Sequence, residues 1–189
     1  MPTAVDLAQV IYNKLGRVDA WKLEKLTYYC QAWSLGWYGR PLVSNEFQAC
    51  NDGPVEPNLY RANKYQRLET TSTVLPGASP EAIGDEAEKI IDAVISFYGV
   101  KTSRELVELT HSERPWIAAR GQIGAEDKTN EPISQLEMKK FYALQEARGA
   151  DGPTRPMLSV QHFSDSDLQQ RLQASAERWK GALEILATR

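Results

Sequence analysis

Apolar side chains recur every three or four positions along most of this chain, the spacing typical of packed helices. The longest such pattern runs from Asp19 to Tyr38 and is apolar on nearly every side. That distribution predicts a central helix wrapped by its neighbours. Asp19 is placed to cap its first turn, and Gly39 to end its last. The apolar surface is interrupted by a narrow polar strip of four residues: Glu24, Thr27, Gln31 and Ser34.

Shorter helical patterns lie on both sides of this stretch. Each begins at a capping residue or a proline and ends near a glycine or a change of pattern. The last of them places Phe141 and Leu144 on its inward face. The predicted helices span residues 4–15, 57–65, 79–98, 103–111, 115–120 and a segment after Ser134. The pattern therefore predicts a mainly α fold, a compact multi-helix domain around the central helix.

A break in the helical pattern follows Gly39. Apolar and polar residues alternate from Phe47 to Cys50, and Asn51-Asp52-Gly53 is a typical turn sequence. Together they predict a short β-hairpin near residues 42–55. Pro54 and Pro57 then favour a rigid corner that directs the next helix. The alternative for this corner is a surface loop presented to a partner.

Glycine and proline between Gly149 and Pro153 end the main domain, so we divide the chain into residues 1–150 and 151–189. The second part carries a long helical pattern from Asp165 to Ala187. Its apolar stripe is narrow, which suits docking either onto its own domain or onto another protein. We predict partner contacts in this tail, where tryptophan, arginine and leucine share the helix, and secondly beside the hairpin: Arg171, Arg178, Trp179, Leu183 and Leu186, then Asn51, Glu56 and Tyr60.

Composition narrows the classes of function. The 189 residues carry a net charge of −3 without a long basic run, which argues against a nucleic-acid-binding protein. No stretch reads as a signal peptide or a membrane span. The two cysteines do not form a disulfide framework, and reduced thiols fit a cytoplasmic protein.

Known catalytic and metal-binding patterns do not account for this sequence. His111 and Glu113 form a His-x-Glu pair, but the paired cysteines that a zinc deaminase requires are missing. Neither a serine elbow nor a glycine-rich phosphate loop occurs. The helix from Ser103 to His111 exposes acidic residues, the wrong charge for a DNA groove. We therefore expect no enzyme activity, no metal and no cofactor.

Three separate motifs resemble those of the Panacea, or SocA-like, antitoxin domain family. The first is residues 22–33 followed by 37–42, from Lys-Leu-Glu-Lys-Leu-Thr-Tyr-Tyr to Arg-Pro-Leu. The second is the Gly-Pro-Val segment at 53–60, and the third is the Thr-His segment at 109–116, which ends in Pro-Trp. The resemblance spans roughly residues 7–144 and leaves out the tail.

The resemblance implies an antitoxin of a type II toxin–antitoxin module that binds a protein toxin directly. Family toxins include alarmone-synthetase enzymes, and family members are associated with phages, mobile elements and phage defence. The alternatives are an adaptor that delivers a toxin to a protease and a phage or mobile-element protein that binds a host factor. The family supplies no catalytic residues. The motif residues are expected to serve the fold: Leu26, Tyr29, Trp33, Trp37, Gly53, Pro54, His111, Pro115 and Trp116.

Overall fold

A computed structural model describes residues 1–65, 72–124, 127–158, 169–170, 172–177 and 180. These residues fall into two compact units, Met1–Met157 and Leu158–Arg189. The first unit is mainly helical, as predicted, with one small hairpin. Its elements in chain order are α1 (Ala4–Leu15), α2 (Ala20–Tyr38), β1 (Gln48–Cys50), β2 (Gly53–Val55), α3 (Pro57–Lys64), a 3₁₀ turn (Pro80–Ala82), α4 (Asp85–Tyr98), α5 (Ser103–Ser112), α6 (Arg114–Arg120) and α7 (Gln135–Ala147).

Helix α2 is the centre of the first unit and packs against α1, α4, α5 and α7. The Asp19 carboxylate accepts a hydrogen bond from the Lys22 backbone N–H at 3.0 Å, and Gly39 ends the helix in the left-handed conformation. Both predicted caps are therefore confirmed. Most of the large side chains along the helix are buried, including Leu26, Tyr29, Trp33 and Trp37.

The closest helix contact to α2 is made by α7, and it depends on Gly36. A Cβ atom at Gly36 would lie 2.6 Å from the Tyr142 Cβ and 2.9 Å from its backbone carbonyl carbon. Only a residue without a side chain allows the two backbones to approach this closely. The Tyr142 ring then lies edge-on to Trp33, with ring centroids 5.1 Å apart.

The polar strip of α2 is fully buried and anchors the segments that wrap the helix. The Gln31 side chain accepts hydrogen bonds from the backbone N–H groups of Leu42 and Val43. The Ser34 hydroxyl donates to the Arg40 carbonyl at 2.8 Å. Since buried polar groups must be paired, these bonds fix the path of the chain after α2.

The hairpin forms where it was predicted, with Ala49 opposite Pro54 in an antiparallel pair. The segment before α7 extends it on the β1 side. There the Ala49 N–H donates to the Glu131 carbonyl at 2.8 Å, and the Ile133 N–H donates to the Phe47 carbonyl at 2.7 Å. Both edges of β1 are thus paired, which holds the hairpin against the helices.

Two details of the sequence prediction were wrong. The helix expected from Ser79 to Tyr98 is interrupted after the 3₁₀ turn, and α4 begins at Asp85. Leu144 was expected to face inward but is 46 % exposed. Because Tyr142 and Met138 fill the contact with α2, Leu144 lies on the opposite side of α7.

The first unit continues past the predicted boundary at residue 150. Pro153 is buried, and the Tyr38 hydroxyl donates a hydrogen bond to the Pro156 carbonyl. The Arg155 guanidinium lies 4.8 Å from the centroid of the Tyr38 ring. This segment therefore packs along the end of α2 as far as Pro156, and Met157 is exposed.

In the second unit, residues 169–170, 172–177 and 180 are helical, within the helix predicted from Asp165 to Ala187. Leu172 is exposed there. The other tail positions predicted to contact a partner lie outside the described residues: Arg171, Arg178, Trp179, Leu183 and Leu186.

Candidate functional site

The three sequence motifs meet at Gly53, the first residue of β2. Gly53 has a φ of +94°, which favours glycine. A Cβ atom there would lie 2.6 Å from Lys25 Cε on α2 and 2.8 Å from Thr110 Oγ1 on α5. Lys25 belongs to the first motif, Gly53 to the second and Thr110 to the third. The motifs thus build one junction of helix, hairpin and helix.

Two buried ionisable side chains of α2 form hydrogen bonds with the backbone of this junction. The Lys25 ammonium donates to the Pro54 carbonyl at 3.0 Å, and the Glu56 N–H donates to the Glu24 carboxylate at 3.0 Å. Burial lowers the pKa of Lys25 and raises that of Glu24. The opposite charges of the two side chains attract each other and offset part of each shift. The first motif therefore supplies a lysine and a glutamate that fix β2 and the start of α3.

The Glu56 side chain, predicted to contact a partner, is buried in this junction. It accepts a hydrogen bond from the Leu59 N–H at 2.7 Å and so caps α3. The Asn58 side-chain amide donates to the same carboxylate at 3.0 Å. Glu56 is 2 % exposed. Its role in the site is therefore to position the neighbouring residues of α3.

The Thr-His motif and helix α6, which begins within it, hold the hairpin from its other side. The Trp116 indole N–H donates to the Cys50 carbonyl at 2.9 Å, and the Arg120 guanidinium donates to the Ala49 carbonyl at 2.9 Å. His111 stacks on Trp116 with ring centroids 4.1 Å apart. Partial burial and the nearby Lys25 charge lower the pKa of His111. These groups form a structural stack that supports the hairpin turn.

The outer face of the junction is a groove of about 530 Å³. Its walls come from the start of α2, the hairpin, α3 and the loop before residue 131. The side chains are mixed in character, with aromatic, amide and charged groups side by side. The groove is lined by Trp21, Gln48, Cys50, Asn51, Asp52, Val55, Pro57, Tyr60, Arg61, Lys128, Thr129 and Asn130.

Trp21 is the most conspicuous residue of this face and was missed by the sequence analysis. It is 42 % exposed, and it lines the groove and two neighbouring pockets. The sequence did contain a sign of this exposure, because Trp21 lies in the first turn of α2 and off its apolar stripe. Asn51 and Tyr60, which were predicted, lie in the same groove. An exposed aromatic residue with a polar rim is the usual composition of an energetic centre in an interface.

A further carboxylate with internal hydrogen bonds lies in the first unit, at the half-buried Glu113. It accepts hydrogen bonds from the hydroxyls of Tyr142 at 2.6 Å and Tyr29 at 3.2 Å. The Tyr29 ring stacks on Tyr98 with centroids 3.9 Å apart. Burial raises the pKa of Glu113 to about 7. Glu113 thus ties α2 and α7 together through the loop between α5 and α6.

The elevated pKa of Glu113 predicts a pH-dependent stability. Folded protein holds the Glu113 proton up to about pH 7, whereas unfolded chain loses it near the ordinary pKa of 4.5. The free energy of unfolding should therefore fall as pH rises between these values, by about 3 kcal/mol from this residue. Glu113→Gln should remove that part of the slope. Urea melts of both proteins at pH 5 and pH 7.5 measure it.

The matched control for this prediction is Glu108→Gln, since Glu108 is an exposed acid on α5. Buried Glu24 contributes a slope of the same sign. Because the wild type and Glu113→Gln both retain Glu24, the difference between their pH slopes of unfolding is due to Glu113. Equal slopes in wild type and Glu113→Gln would contradict the protonated carboxyl.

Among the described residues, no cluster of histidine, cysteine or acidic side chains is arranged to hold a metal ion. No helix in this part of the chain is long and apolar enough to span a membrane. Both cysteines are free thiols, with Cys30 buried in α2 and Cys50 half-buried at the groove.

Comparison with known proteins identifies the family. The sequence model described as antitoxin SocA-like, Panacea domain, matches residues 23–117, half of the chain. The chain belongs to this family. The match starts in α2 and ends in α6, and it contains the three motifs that meet at Gly53 except for Lys22. No curated protein and no solved structure matches the chain. The Panacea domain thus associates this fold with an antitoxin role.

Most residues of the three motifs are buried or half-buried in the first unit. Pro54 and Pro115 are buried beside the junction. Tyr29, Trp33 and Trp37 pack in the core, and His111 stacks on Trp116 beneath the hairpin. Trp21 and Tyr60 line the groove beside them. The family motifs therefore support the groove from below.

Proposed function

We propose that this protein is the antitoxin of a two-gene type II module and neutralises a protein toxin by binding it directly. Membership of the Panacea family is the observation that carries the proposal. The groove around Trp21 supports it, because a rigid junction of buried hydrogen bonds holds an exposed aromatic residue at the surface. Such pre-organisation reduces the entropy that binding would otherwise cost.

The composition of the groove favours a protein as the partner. Asp52, Arg61 and Lys128 place both charge signs on its rim around Trp21 and Tyr60. A protein interface combines a desolvated aromatic centre with a polar rim of this kind. We propose that the toxin contacts this groove, with the tail as a second contact element. We place this action in the cytoplasm, where the free thiols Cys30 and Cys50 stay reduced.

Co-expression tests the proposal. The product of the reading frame next to this gene should arrest growth when it is expressed alone. Induction of the present protein should restore growth, and the two should co-purify as one complex. Growth arrest that persists despite soluble expression of the protein would contradict an antitoxin role toward that product.

The same experiment separates direct binding from an adaptor that delivers the toxin to a protease. Direct binding predicts that the toxin accumulates in the complex during rescue. An adaptor predicts that the toxin level falls, and that rescue disappears in a strain without the protease. A quantitative blot of the toxin during rescue therefore distinguishes the two mechanisms.

A further inference from the structure

A pocket of about 200 Å³ opens beside the groove and shares two of its aromatic walls. It is lined by Ala20, Trp21, Glu24, Tyr60, Asn63 and Lys64. Glu24 is 2 % exposed, and one of its carboxylate oxygens, Oε2, accepts a hydrogen bond from the Glu56 N–H. The other oxygen, Oε1, is buried without a hydrogen-bond partner in the described part of the chain. A buried acceptor left in this way costs free energy that a donor entering the pocket would recover.

The two aromatic walls already carry ammonium groups of the chain itself. The Lys25 ammonium lies 5.5 Å from the centroid of the Trp21 ring. The Lys64 ammonium lies 5.0 Å from the centroid of the Tyr60 ring and donates to its hydroxyl at 2.6 Å. The Trp21 distance is within the range in which a cation is attracted to an aromatic face. Lys64 instead lies beyond the edge of the Tyr60 ring, at its hydroxyl. The Trp21 ring therefore suits a positively charged group.

We propose that this pocket binds one lysine or arginine side chain of the protein partner, whose charged nitrogen meets Glu24 Oε1 between Trp21 and Tyr60. The inference rests on the proposed function for the identity of the partner as a toxin. A cationic donor satisfies both features of the pocket, the unpaired carboxylate oxygen and the aromatic walls. An apolar side chain would leave Oε1 without a partner, and an anionic one would face the Glu24 carboxylate.

Binding of a cation is linked to the protonation state of Glu24. Burial raises the pKa of Glu24, because the ionised carboxylate is poorly solvated in this pocket. A cation at Oε1 favours the ionised form and gains a charge-assisted hydrogen bond, which is stronger than a neutral one. A neutral amide donor gains only the weaker bond.

The size and position of the pocket favour a side chain over a free small molecule. A volume of about 200 Å³ is below the size of an ordinary small-molecule site, which is ~300–1,000 Å³. Trp21 and Tyr60 also line the larger groove. A protein segment lying in that groove would therefore bring a long side chain to the mouth of the pocket.

The test uses capped amino acids as probes and the full chain labelled with ¹⁵N. Nα-acetyl-lysine and Nα-acetyl-arginine methylamides are titrated at pH 7.5, with the norleucine and glutamine methylamides as neutral controls of similar length. The indole N–H of Trp21 and the backbone N–H groups of residues 20–24 report binding. The two cationic probes should shift these signals to saturation. The neutral probes should bind at least about tenfold more weakly.

Two variants should change the affinity in opposite directions. Glu24→Gln retains an oxygen for the Glu56 N–H but replaces Oε1 with an amide donor, and should weaken cation binding at least about tenfold. Lys64→Gln removes the competing cation from the rim and should strengthen it about two- to fivefold. Should Glu24→Gln fail to fold, Tyr60→Leu keeps the carboxylate and removes one aromatic wall, and should also weaken binding.

Several outcomes would overturn the inference. Equal shifts with the norleucine probe would show apolar docking, and equal shifts with the glutamine probe would show a donor site without charge preference. Unchanged affinity in both Glu24→Gln and Tyr60→Leu would place the probes elsewhere. Tenfold tighter binding of 1,4-diaminobutane than of capped lysine would assign the pocket to a free amine instead. None of these measurements needs the toxin, so a failure here is distinguishable from a failure of the antitoxin proposal.

Discussion

Replacing Trp33 with alanine should lower the free energy of unfolding by about 3–5 kcal/mol, as other large-to-small changes in a core do. Trp33 is 2 % exposed at the centre of α2, and its indole N–H donates to the Tyr98 hydroxyl at 3.1 Å. Its ring packs on Trp37 and Tyr142. Alanine would leave a cavity and an unpaired hydroxyl at the place where α4 and α7 meet α2. Chemical denaturation monitored by far-UV circular dichroism measures this loss.

Trp21→Ala provides the matched control, since it removes the same side chain from the exposed end of the same helix. Its effect on unfolding should be about 1 kcal/mol or less. A change below 1 kcal/mol in Trp33→Ala, or equal changes in the two variants, would contradict the assignment of Trp33 to the core. A loss of several kcal/mol is a large part of the stability of an ordinary domain, so Trp33→Ala should populate unfolded chain.

The two tryptophan variants should rank in the opposite order in their effects on toxin affinity. Trp21→Ala should weaken the complex by at least 2 kcal/mol, about 30-fold in Kd, because central aromatic residues dominate the energy of most interfaces. Isothermal titration of the purified toxin with each variant measures the change. Leu136→Ala, which removes an exposed apolar side chain from α7, should leave the affinity unchanged.

A shortened chain that ends at Met157 separates the groove from the tail. This end point keeps the last contacts of the first unit, because Pro153 is buried and the Pro156 carbonyl accepts a hydrogen bond from Tyr38. Full affinity in this chain would assign recognition to the groove. Lost affinity, with a normal melt, would assign it to the tail helix that includes Leu172. Unchanged affinity in Trp21→Ala would contradict the central place of the groove.

The parts of the fold that the sequence predicts well are those encoded locally. Asp19 and Gly39 cap the two ends of the central helix, and Thr102 and Glu105 form a capping box at the start of α5. Capping needs only residues that are a few positions apart. The hairpin turn at residues 51–53 is local in the same sense. Such signals are present in a single stretch of chain, whatever the tertiary context.

The errors arise where distant residues decide the outcome. Periodicity separates polar from apolar positions, but it cannot show that Gln31 meets the backbone of Leu42 and Val43 and is therefore buried. The inward face of α7 depends on the contact between Gly36 and Tyr142, which lie on different helices. Leu144 was misplaced for that reason.

The candidate site was predictable only in part. Asn51 and Tyr60 were identified from their proximity to the turn, and they do line the groove. Trp21 was overlooked because an aromatic residue in a helix is usually buried, and its exposure depends on how α2 meets the hairpin and α3. Glu56 was selected as a surface residue, but capping of α3 buries it.

We propose that this protein neutralises a toxin by stoichiometric capture, and titration of purified toxin activity tests that mechanism most directly. Increasing amounts of the protein are added to a fixed amount of toxin, without any protease present. Direct capture predicts that activity falls linearly and reaches its minimum near one antitoxin per toxin, because each molecule is consumed as it binds. Neutralisation of many toxin molecules by one molecule of this protein, or no neutralisation in the absence of a protease, would contradict the account.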